Sequence, residues 1–323
     1  LEQDGFGSIN RIIGKDGTGK IVLLKSLYTA AKTLEEYNKG NDKRNIGDIL
    51  QQKLYWTFQP DDKIGDIVTK KAEAKLEFES LFDGKKFAYS FGKDTTNRIE
   101  SIESEASMLE HRSIFLPAKE VLSLFNVILQ SRDRDRSFGF DDTYYDLVKA
   151  LLLPAAKGNF YTNIKSARER LGILLGGRIC YDSKEKIWQF KNANNEKFPI
   201  GVTAEGIKKI SILDALLGNR YIDKDSTIFI DEPESALHPG AISEFMDIIS
   251  LLAETGMQFI MASHSYFVIK KLYTIAQKRK ISIPVISLSQ SKKEEFDLRD
   301  GMPENEIIDE AIRLYEEEVE LVI

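Results

Sequence analysis

The stretch from Thr227 to Ser265 constrains this chain more than any other. An apolar run, Ile228-Phe229-Ile230, ends in Asp231-Glu232-Pro233-Glu234; Leu237-His238-Pro239 follows, and a second run, Phe259-Ile260-Met261-Ala262, ends in Ser263-His264-Ser265. Short apolar runs of this kind predict buried strands of a parallel sheet, and open α/β sheets bind ligands at the carboxyl ends of their strands. Two carboxylates at such an end have distinct uses: Asp231 to hold a magnesium-bound water, Glu232 to polarise the water attacking a γ-phosphate. His264, at the tip of the neighbouring strand, brings an imidazole within reach of the same phosphate. The pattern is the hydrolytic end of a nucleoside triphosphatase.

A matching phosphate loop lies near the N-terminus. Ile9 to Ile13 predicts a short buried strand, Gly14-Lys15-Asp16-Gly17-Thr18-Gly19-Lys20 a loop, and Ile21 to Leu27 the start of a helix. Glycines let backbone N–H groups turn inward on phosphates, the helix N-terminus adds positive partial charge, and Lys20 reaches the β- and γ-oxygens. Two residues depart from the G-x-x-x-x-G-K-[ST] pattern. Ile21 stands where a Ser or Thr hydroxyl would ligate magnesium, and Asp16 places a carboxylate in a loop built to attract anions. Thr18 lies inside the loop and is no evident substitute ligand. Metal is then held through water by Asp231, and nucleotide binding is expected to survive better than hydrolysis.

With 323 residues, 42% of them hydrophobic, the chain is long enough for a large core in one elaborated domain or two lobes. No run approaches the roughly 18 to 20 apolar residues needed to span a bilayer. A single cysteine, Cys180, excludes an internal disulfide and points to a structural residue in a reducing, cytoplasmic setting. No signal peptide is visible; the chain starts at Leu1 without a methionine, so a preceding piece and its edge strand are expected to be missing. The net charge of −6 argues against broad nucleic-acid affinity. Of two basic runs, Lys278-Arg279-Lys280 is expected to decorate a helix end, and Arg132-Asp133-Arg134-Asp135-Arg136 to form a solvated, self-neutralising loop.

The order of elements adds an architecture. After the phosphate-loop helix, alternating strands Lys75 to Phe78 and Lys86 to Phe91 flank a turn at Asp83-Gly84. Ser113 to Leu116 predicts a buried strand stopped by Pro117. Helical patterns follow over Glu120–Gln130, Asp141–Leu153 and Asn163–Leu175, then a hairpin of Arg178–Tyr181 with Lys186–Phe190, the segment Thr203-Ala204-Glu205-Gly206-Ile207-Lys208-Lys209, and a last parallel strand at Pro284–Leu288. The tail from Asn305 to Ile323 reads as one helix docked on the core through Ile307, Ile308, Ala311, Ile312, Leu314 and Tyr315.

Together these residues resemble the ABC-type ATPases of the group that includes SMC-like, RecF-like and overcoming-lysogenization-defect proteins, AAA family ATPases of the AAA_21-like kind. The resemblance implies an α/β P-loop NTPase, an ABC-type ATPase head with an antiparallel β-meander and a helical insert. It divides the chain into residues 1–115 (Walker A and meander), 116–200 (helical insert with hairpin), 201–290 (signature, Walker B and switch histidine) and 291–323 (helical tail). Gly14, Lys15, Asp16, Gly17, Thr18, Gly19, Lys20 and Ile21 look like Walker A; Asp231 is then the magnesium residue, Glu232 the catalytic glutamate and His264 the switch histidine. Thr203, Glu205 and Gly206 fall where the signature segment caps the γ-phosphate of an opposite protomer, although the sequence is T-A-E-G-I-K-K and not L-S-G-G-Q. Ser235-Ala236-Leu237-His238 looks like the D-loop. ATP and Mg2+ are the implied cofactors, and an ATP-sandwiched homodimer the implied assembly.

In such a family a glutamine senses magnesium and water at the end of the strand entering the insert. Here Lys119 or Glu120 stands at that place, while Gln59 sits too early. His238 is expected to be structural, for want of a second ligand at metal spacing, and His111 to face solvent. The segment from Glu120 to Leu175 is too short and broken for an SMC arm, and the residues after Leu288 are too few for an independent Toprim domain of on the order of 50 residues. A motor without a visible effector is similar to the ATPase subunits of Septu-like or retron-linked anti-phage systems, whose effector is a separate HNH-type nuclease, with nucleic acid contacted indirectly. Two alternatives are a nucleotide-gated scaffold that does not hydrolyse, and a RecF-like DNA-repair ATPase.

Overall fold

The computed structural model describes residues 6–68, 74–99, 101–106, 108–289 and 293–321. Strand β1 (Ile9–Gly14), buried at every position, leads through the glycine loop into α1 (Lys20–Glu36). Helix α2 (Ile46–Phe58) packs along α1. It is an element additional to those expected, started by the Asn45 side chain accepting from the Asp48 N–H. Strands β2 (Lys75–Phe82), β3 (Lys85–Gly92) and β4 (Ser101–Ser104) form an antiparallel meander. Asp83 and Gly84, with φ of 51° and 74°, make the two-residue turn that Asp-Gly favours because both positions need positive φ.

Strand β5 (Ser113–Leu116) precedes the helices α3 (Phe125–Asp133), α4 (Asp142–Leu151) and α5 (Thr162–Leu175) and a small sheet of β6 (Gly177–Asp182), β7 (Ile187–Asn192) and β8 (Lys197–Pro199). The remainder alternates: α6 (Glu205–Gly218), β9 (Thr227–Asp231), α7 (Pro239–Ala253), β10 (Gln258–Ser263), α8 (Tyr266–Arg279), β11 (Pro284–Leu288), β12 (Lys293–Asp297) and α9 (Glu306–Glu320).

The central six-stranded sheet runs β12-β11-β1-β10-β9-β5, parallel except for the edge strand β12. Apolar residues alternate between its faces with the strand period of two. Ile12, Phe115, Phe229 and Ile260 face α1 and the meander, where Phe115 and Phe229 meet the Tyr28 ring edge-on at 5.6 and 5.7 Å. Ile13, Ile114, Ile228, Ile230 and Met261 face α6, α7, α8 and the insert. Both faces are thus covered, which is why these strands read as continuous apolar runs.

Four expectations change. Helix α3 starts at Phe125 and not Glu120, because the Glu120 carboxylate accepts from the Ser123 N–H and pairs with Lys208 at 2.5 Å, holding that segment as a turn. Arg132 leaves the predicted solvated loop: its guanidinium lies 3.3 Å from the Trp56 ring centre and 2.9 Å from Asp142, while Arg134 and Asp135 neutralise each other at 2.7 Å as expected. His111 is largely covered, its Nδ1 4.0 Å from Asp83. Helix α9 docks only through its first turn, by buried Ile308 and partly buried Ile307; Ile312, Leu314 and Tyr315 are 51%, 53% and 66% exposed, and Val322 and Ile323 lie outside the described residues. Cys180 sits half-buried in β6, and Lys278 and Arg279 occupy the last turn of α8.

Candidate nucleotide site

Strand register brings the motifs together. Ile13 pairs with Ser263 and Ala262 with Asp231, so the phosphate loop, His264 and Glu232 leave three adjacent parallel strands at one edge. In the loop, Gly14 has φ 152°, and a Cβ there would lie 2.3 Å from the Leu288 carbonyl oxygen. Gly17 and Gly19, at 78° and 90°, are required by their left-handed backbone rather than by space, since nothing lies within 4 Å of a Cβ at either. Lys20 Nζ donates to the carbonyls of Gly14 and Lys15, each at 2.7 Å, and stands 3.7 Å from the exposed Asp16 carboxylate. Thr18 Oγ1 donates to the Lys15 carbonyl at 2.8 Å. Lys15 itself pairs with Glu306 at the start of α9, 2.8 Å away. Ile21 turns partly into the apolar layer under α1.

Opposite the loop, Asp231 ends β9. Burial first, then the charge of Glu232, raise its carboxyl pKa to about 6, against the attraction of Lys209 and Lys25. Glu232 has φ 44°, an uncommon conformation for a residue with a side chain, and its N–H continues the ladder by donating to the Ala262 carbonyl at 2.8 Å. His264 Nδ1 lies 3.5 Å from Glu232 and 3.9 Å from Glu234, with the imidazole 48% exposed. Glu232 and His264 therefore face an open edge, supported from beneath by a buried relay. Arg11 Nη2 donates to Ser263 Oγ and to the Ser265 carbonyl, both at 3.0 Å; Ser263 Oγ donates to Glu234 at 2.7 Å; the His264 N–H donates to the same carboxylate oxygen at 3.2 Å.

Arg11, Lys25 and Tyr144 belong to this site and escaped the sequence motifs. Glu234 and Lys209 belong to it too and lay inside the Asp231–Glu234 and Thr203–Lys209 segments, without a part assigned to either. Lys25 Nζ reaches Asp141 at 2.6 Å, tying α1 to the start of α4. Tyr144, one turn into α4, has its hydroxyl pKa pushed up to about 12 by burial, then by Asp141 and Asp231.

Thr203, Glu205 and Gly206, the residues expected to form the signature segment, make their contacts within α6, in the turn before it and with the 235–237 turn. A Cβ on Gly206 would come within 2.5 Å of the Ala236 carbonyl, so α6 and the 235–237 turn touch through this glycine. Glu205 pairs with Lys208 at 2.8 Å, and the Thr203 N–H donates to the Ile200 carbonyl. Among the described residues no side chain caps α6, and Val202 in the turn before it is 74% exposed. A cleft of about 320 Å³ lies behind this turn, lined by Pro117, Lys119, Glu120, Lys208 and Lys209. Glu120 thus turns to Lys208, and Lys119 lines the same cleft. Gln59 Oε1 accepts from Gly139 in the insert. His238 Nδ1 accepts from the Gly240 N–H and caps α7, the structural part expected of it.

Residues 9–270 match the family model described as "AAA domain, putative AbiEii toxin, Type IV TA system", named AAA_21. The chain belongs to the AAA_21 family. No curated protein matches this AAA_21 chain in sequence. Among solved structures it is similar to the SMC head domain from Thermotoga maritima (14% identity, TM-score 0.41, covering 91% of this chain and 96% of that one). It is also similar to the Smc head domain of Pyrococcus furiosus bound to the C-terminal domain of ScpA (11% identity, TM-score 0.45, 97% and 94%). A third is an SmcHead bound to the C-winged helix domain of ScpA (12% identity, TM-score 0.47, 91% and 94%).

The AAA_21 chain is a P-loop ATPase by family and an α/β P-loop NTPase in fold, a kind of protein that binds nucleotide, typically with magnesium. The loop fits phosphates: the space beside Gly17 and Gly19 is open, and Lys20 Nζ rests on carbonyls that a γ-phosphate would replace as partners. The fit to magnesium is narrower. Among the described residues no three His, Cys, Asp or Glu side chains converge on one point, so Asp231 would hold the ion by one oxygen or a water, with nucleotide phosphates supplying the rest. No helix of the described residues is long and apolar enough to cross a membrane.

A raised carboxyl pKa has a testable sign. The folded value of about 6 exceeds the ordinary 3.8, so ionising Asp231 costs folded stability as pH rises between the two. Asp231→Asn is therefore expected to stabilise the nucleotide-free protein at pH 7 by roughly 1–2 kcal/mol after allowance for partial exposure, and to leave its stability flatter than wild type from about pH 4 to 6. Urea unfolding at several pH values, with magnesium-dependent ATP binding weakened in the same variant, checks both.

Proposed function

We propose that this chain is an ATP-hydrolysing switch: two copies close head to head around ATP, Glu232 activates the attacking water, and turnover resets a separate effector, a nuclease of HNH type in anti-phage defence. The observation that carries the ATPase is the convergence of Lys20, Asp231, Glu232 and His264 at the ends of three adjacent parallel strands, with His264 and Glu232 3.5 Å apart. The start of α6, uncapped by any described side chain and beside exposed Val202, supports a second copy offering N–H groups there to the phosphate, with Thr203 just before that turn and Glu205 and Gly206 in it. The family description, which names a toxin of a type IV toxin–antitoxin system, supports a place in cellular defence.

Within one copy the chemistry divides among the residues present. Lys20 would exchange its two loop carbonyls for phosphate oxygens, Asp231 would hold a magnesium ion, whose chemistry is to neutralise charge on the phosphates, Glu232 would accept a proton from water, and His264 would donate a hydrogen bond to the γ-phosphate. Loop N–H groups between Lys15 and Lys20 cradle the β-phosphate.

A second reading is favoured by one specific observation: Ile21 offers no oxygen where magnesium needs a ligand, and Asp16 stands 3.7 Å from Lys20. On that reading the chain binds nucleotide as a gate and turns it over only negligibly, holding its effector inactive. The experiment is a paired titration and phosphate-release assay of wild type and Ile21→Ser. The ATPase reading expects measurable wild-type turnover, raised about 3- to 30-fold in Ile21→Ser by the added ligand. Tight binding with turnover only in Ile21→Ser supports the gate, and binding in neither removes both readings.

A further inference from the structure

Lys209, in the second turn of α6, contributes to neither the phosphate loop nor the Glu120–Lys208 cluster beside it. Its Nζ turns the other way and donates to two successive backbone carbonyls, Asp231 at 2.9 Å and Glu232 at 2.5 Å. A lysine placed for an ion pair would meet the carboxylates of those residues; this one caps their peptide oxygens. The Glu232 carbonyl also accepts from the Ser235 N–H at 2.9 Å, and the Leu237 N–H donates to the Glu234 carbonyl at 3.0 Å. The turn so held contains Glu232 and Ala236 at φ 44° and 59°, each a conformation that persists only where surroundings over-determine it. One turn earlier on α6, Gly206 is packed against Ala236. Helix α6 therefore grips the 231–237 turn at two points, by a charge-assisted bond and by close packing.

We propose that Lys209 is a positioning residue that fixes the Glu232 backbone, and with it the aim of the Glu232 carboxylate, so that movement of α6 is transmitted to the attacking-water position. The proposal rests on the ATPase reading for its consequence, though not for its geometry. When the first turn of α6 engages the phosphate of a second copy, the same rigid helix carries Lys209, and both carbonyls move with it. Removing the cation frees Glu232 from its left-handed conformation, which misaims the base without altering the phosphate loop that supplies ATP affinity. Lys208, tied at 2.5 Å to Glu120, at 3.1 Å to Ser123 and at 2.8 Å to Glu205, is the internal control: an adjacent lysine on the same helix whose hydrogen bonds among the described residues go elsewhere than the 231–237 turn.

The test compares Lys209→Met, Lys209→Gln and Lys209→Arg with Lys208→Met, the glutamine variant serving if the methionine variant fails to fold. Turnover of Lys209→Met is expected to fall at least about 30-fold with ATP affinity within about threefold, and Lys209→Arg to recover most of the loss because a guanidinium also donates to two carbonyls. In nucleotide-free protein, amide hydrogen exchange of residues 232–237 is expected to accelerate about tenfold or more in Lys209→Met, with β9 and β10 unchanged; Lys208→Met leaves that segment as in wild type. Turnover within threefold of wild type, or ATP affinity lost in proportion to turnover, overturns the positioning role. If wild type itself releases no phosphate, the ATPase reading fails separately, and exchange decides alone: unchanged exchange in 232–237 overturns the clamp, accelerated exchange retains it.

Discussion

Glu232→Gln is expected to lower phosphate release by about 10²- to 10³-fold while leaving ATP affinity within about threefold. Glutamine has nearly the volume of glutamate and retains a side-chain oxygen to orient water, but it cannot accept the proton that water must lose. The Glu232 backbone, held by the Ala262 carbonyl through its N–H and by Lys209 and the Ser235 N–H through its carbonyl oxygen, has no reason to move. The variant should accordingly accumulate as a nucleotide-bound, closed species. Single-turnover phosphate release alongside equilibrium ATP binding separates the two quantities. An equal loss of affinity would place Glu232 in binding, and unaltered release would move the base elsewhere, Glu234 being the nearest other carboxylate to His264 at 3.9 Å.

Arg11→Met is expected to cost roughly 3–5 kcal/mol of folding stability. Arg11 is fully buried in the middle of β1, and burial lowers its guanidinium pKa to about 9 although Glu234 attracts the charge. Two of its nitrogens and Glu234 Oε2 find no hydrogen-bond partner among the described residues, so the pair is held at considerable desolvation cost. Removing the cation leaves a nearly buried carboxylate without its counter-charge and takes the Arg11 donor from the Ser265 carbonyl and from Ser263 Oγ, which keeps only the Ser265 N–H at 3.1 Å. Pairing the change with Glu234→Gln removes the stranded charge and should restore more than half the loss, a coupling read from a double-mutant cycle in urea. Additive losses would show that Arg11 acts through packing alone. Because Ser263 and Glu234 hold the His264 backbone, Arg11→Met should also slow any turnover that survives.

The sheet and the ends of its strands were legible because each is written in contiguous residues: continuous apolar runs for strands covered on both faces, glycines where the phosphate loop needs positive φ, carboxylates at strand ends. Asp83-Gly84 announced its turn for the same local reason. What sequence did not announce depends on distant partners. Arg11 resembles any polar residue in a strand until Ser263, 252 positions away, is placed beside it. Lys209 stood at the end of the Thr203–Lys209 segment with no part assigned to it, yet its amine holds the Asp231 and Glu232 carbonyls while adjacent Lys208 turns to Glu120. Helix α3 lost its first turn to an ion pair with Lys208 in α6, and Arg132 left its charge-alternating loop for Trp56 and Asp142. Helix α9 has a regular apolar spacing that predicts docking along its length, but only its first turn, Ile307 and Ile308, meets the core. The edge strand β12, rich in Lys and Glu, gave no apolar run, as expected of a strand covered on one side only.

The most direct measurement of the central claim is the molar mass of the purified protein by light scattering with magnesium-ATP, in wild type, Glu232→Gln and Lys20→Ala. The account predicts a single-chain mass without nucleotide, a doubled mass with ATP that persists in Glu232→Gln, and no doubling in Lys20→Ala, which has lost the phosphate cation. A mass that stays that of one chain while ATP is demonstrably bound to Glu232→Gln would contradict the closure of two copies on nucleotide.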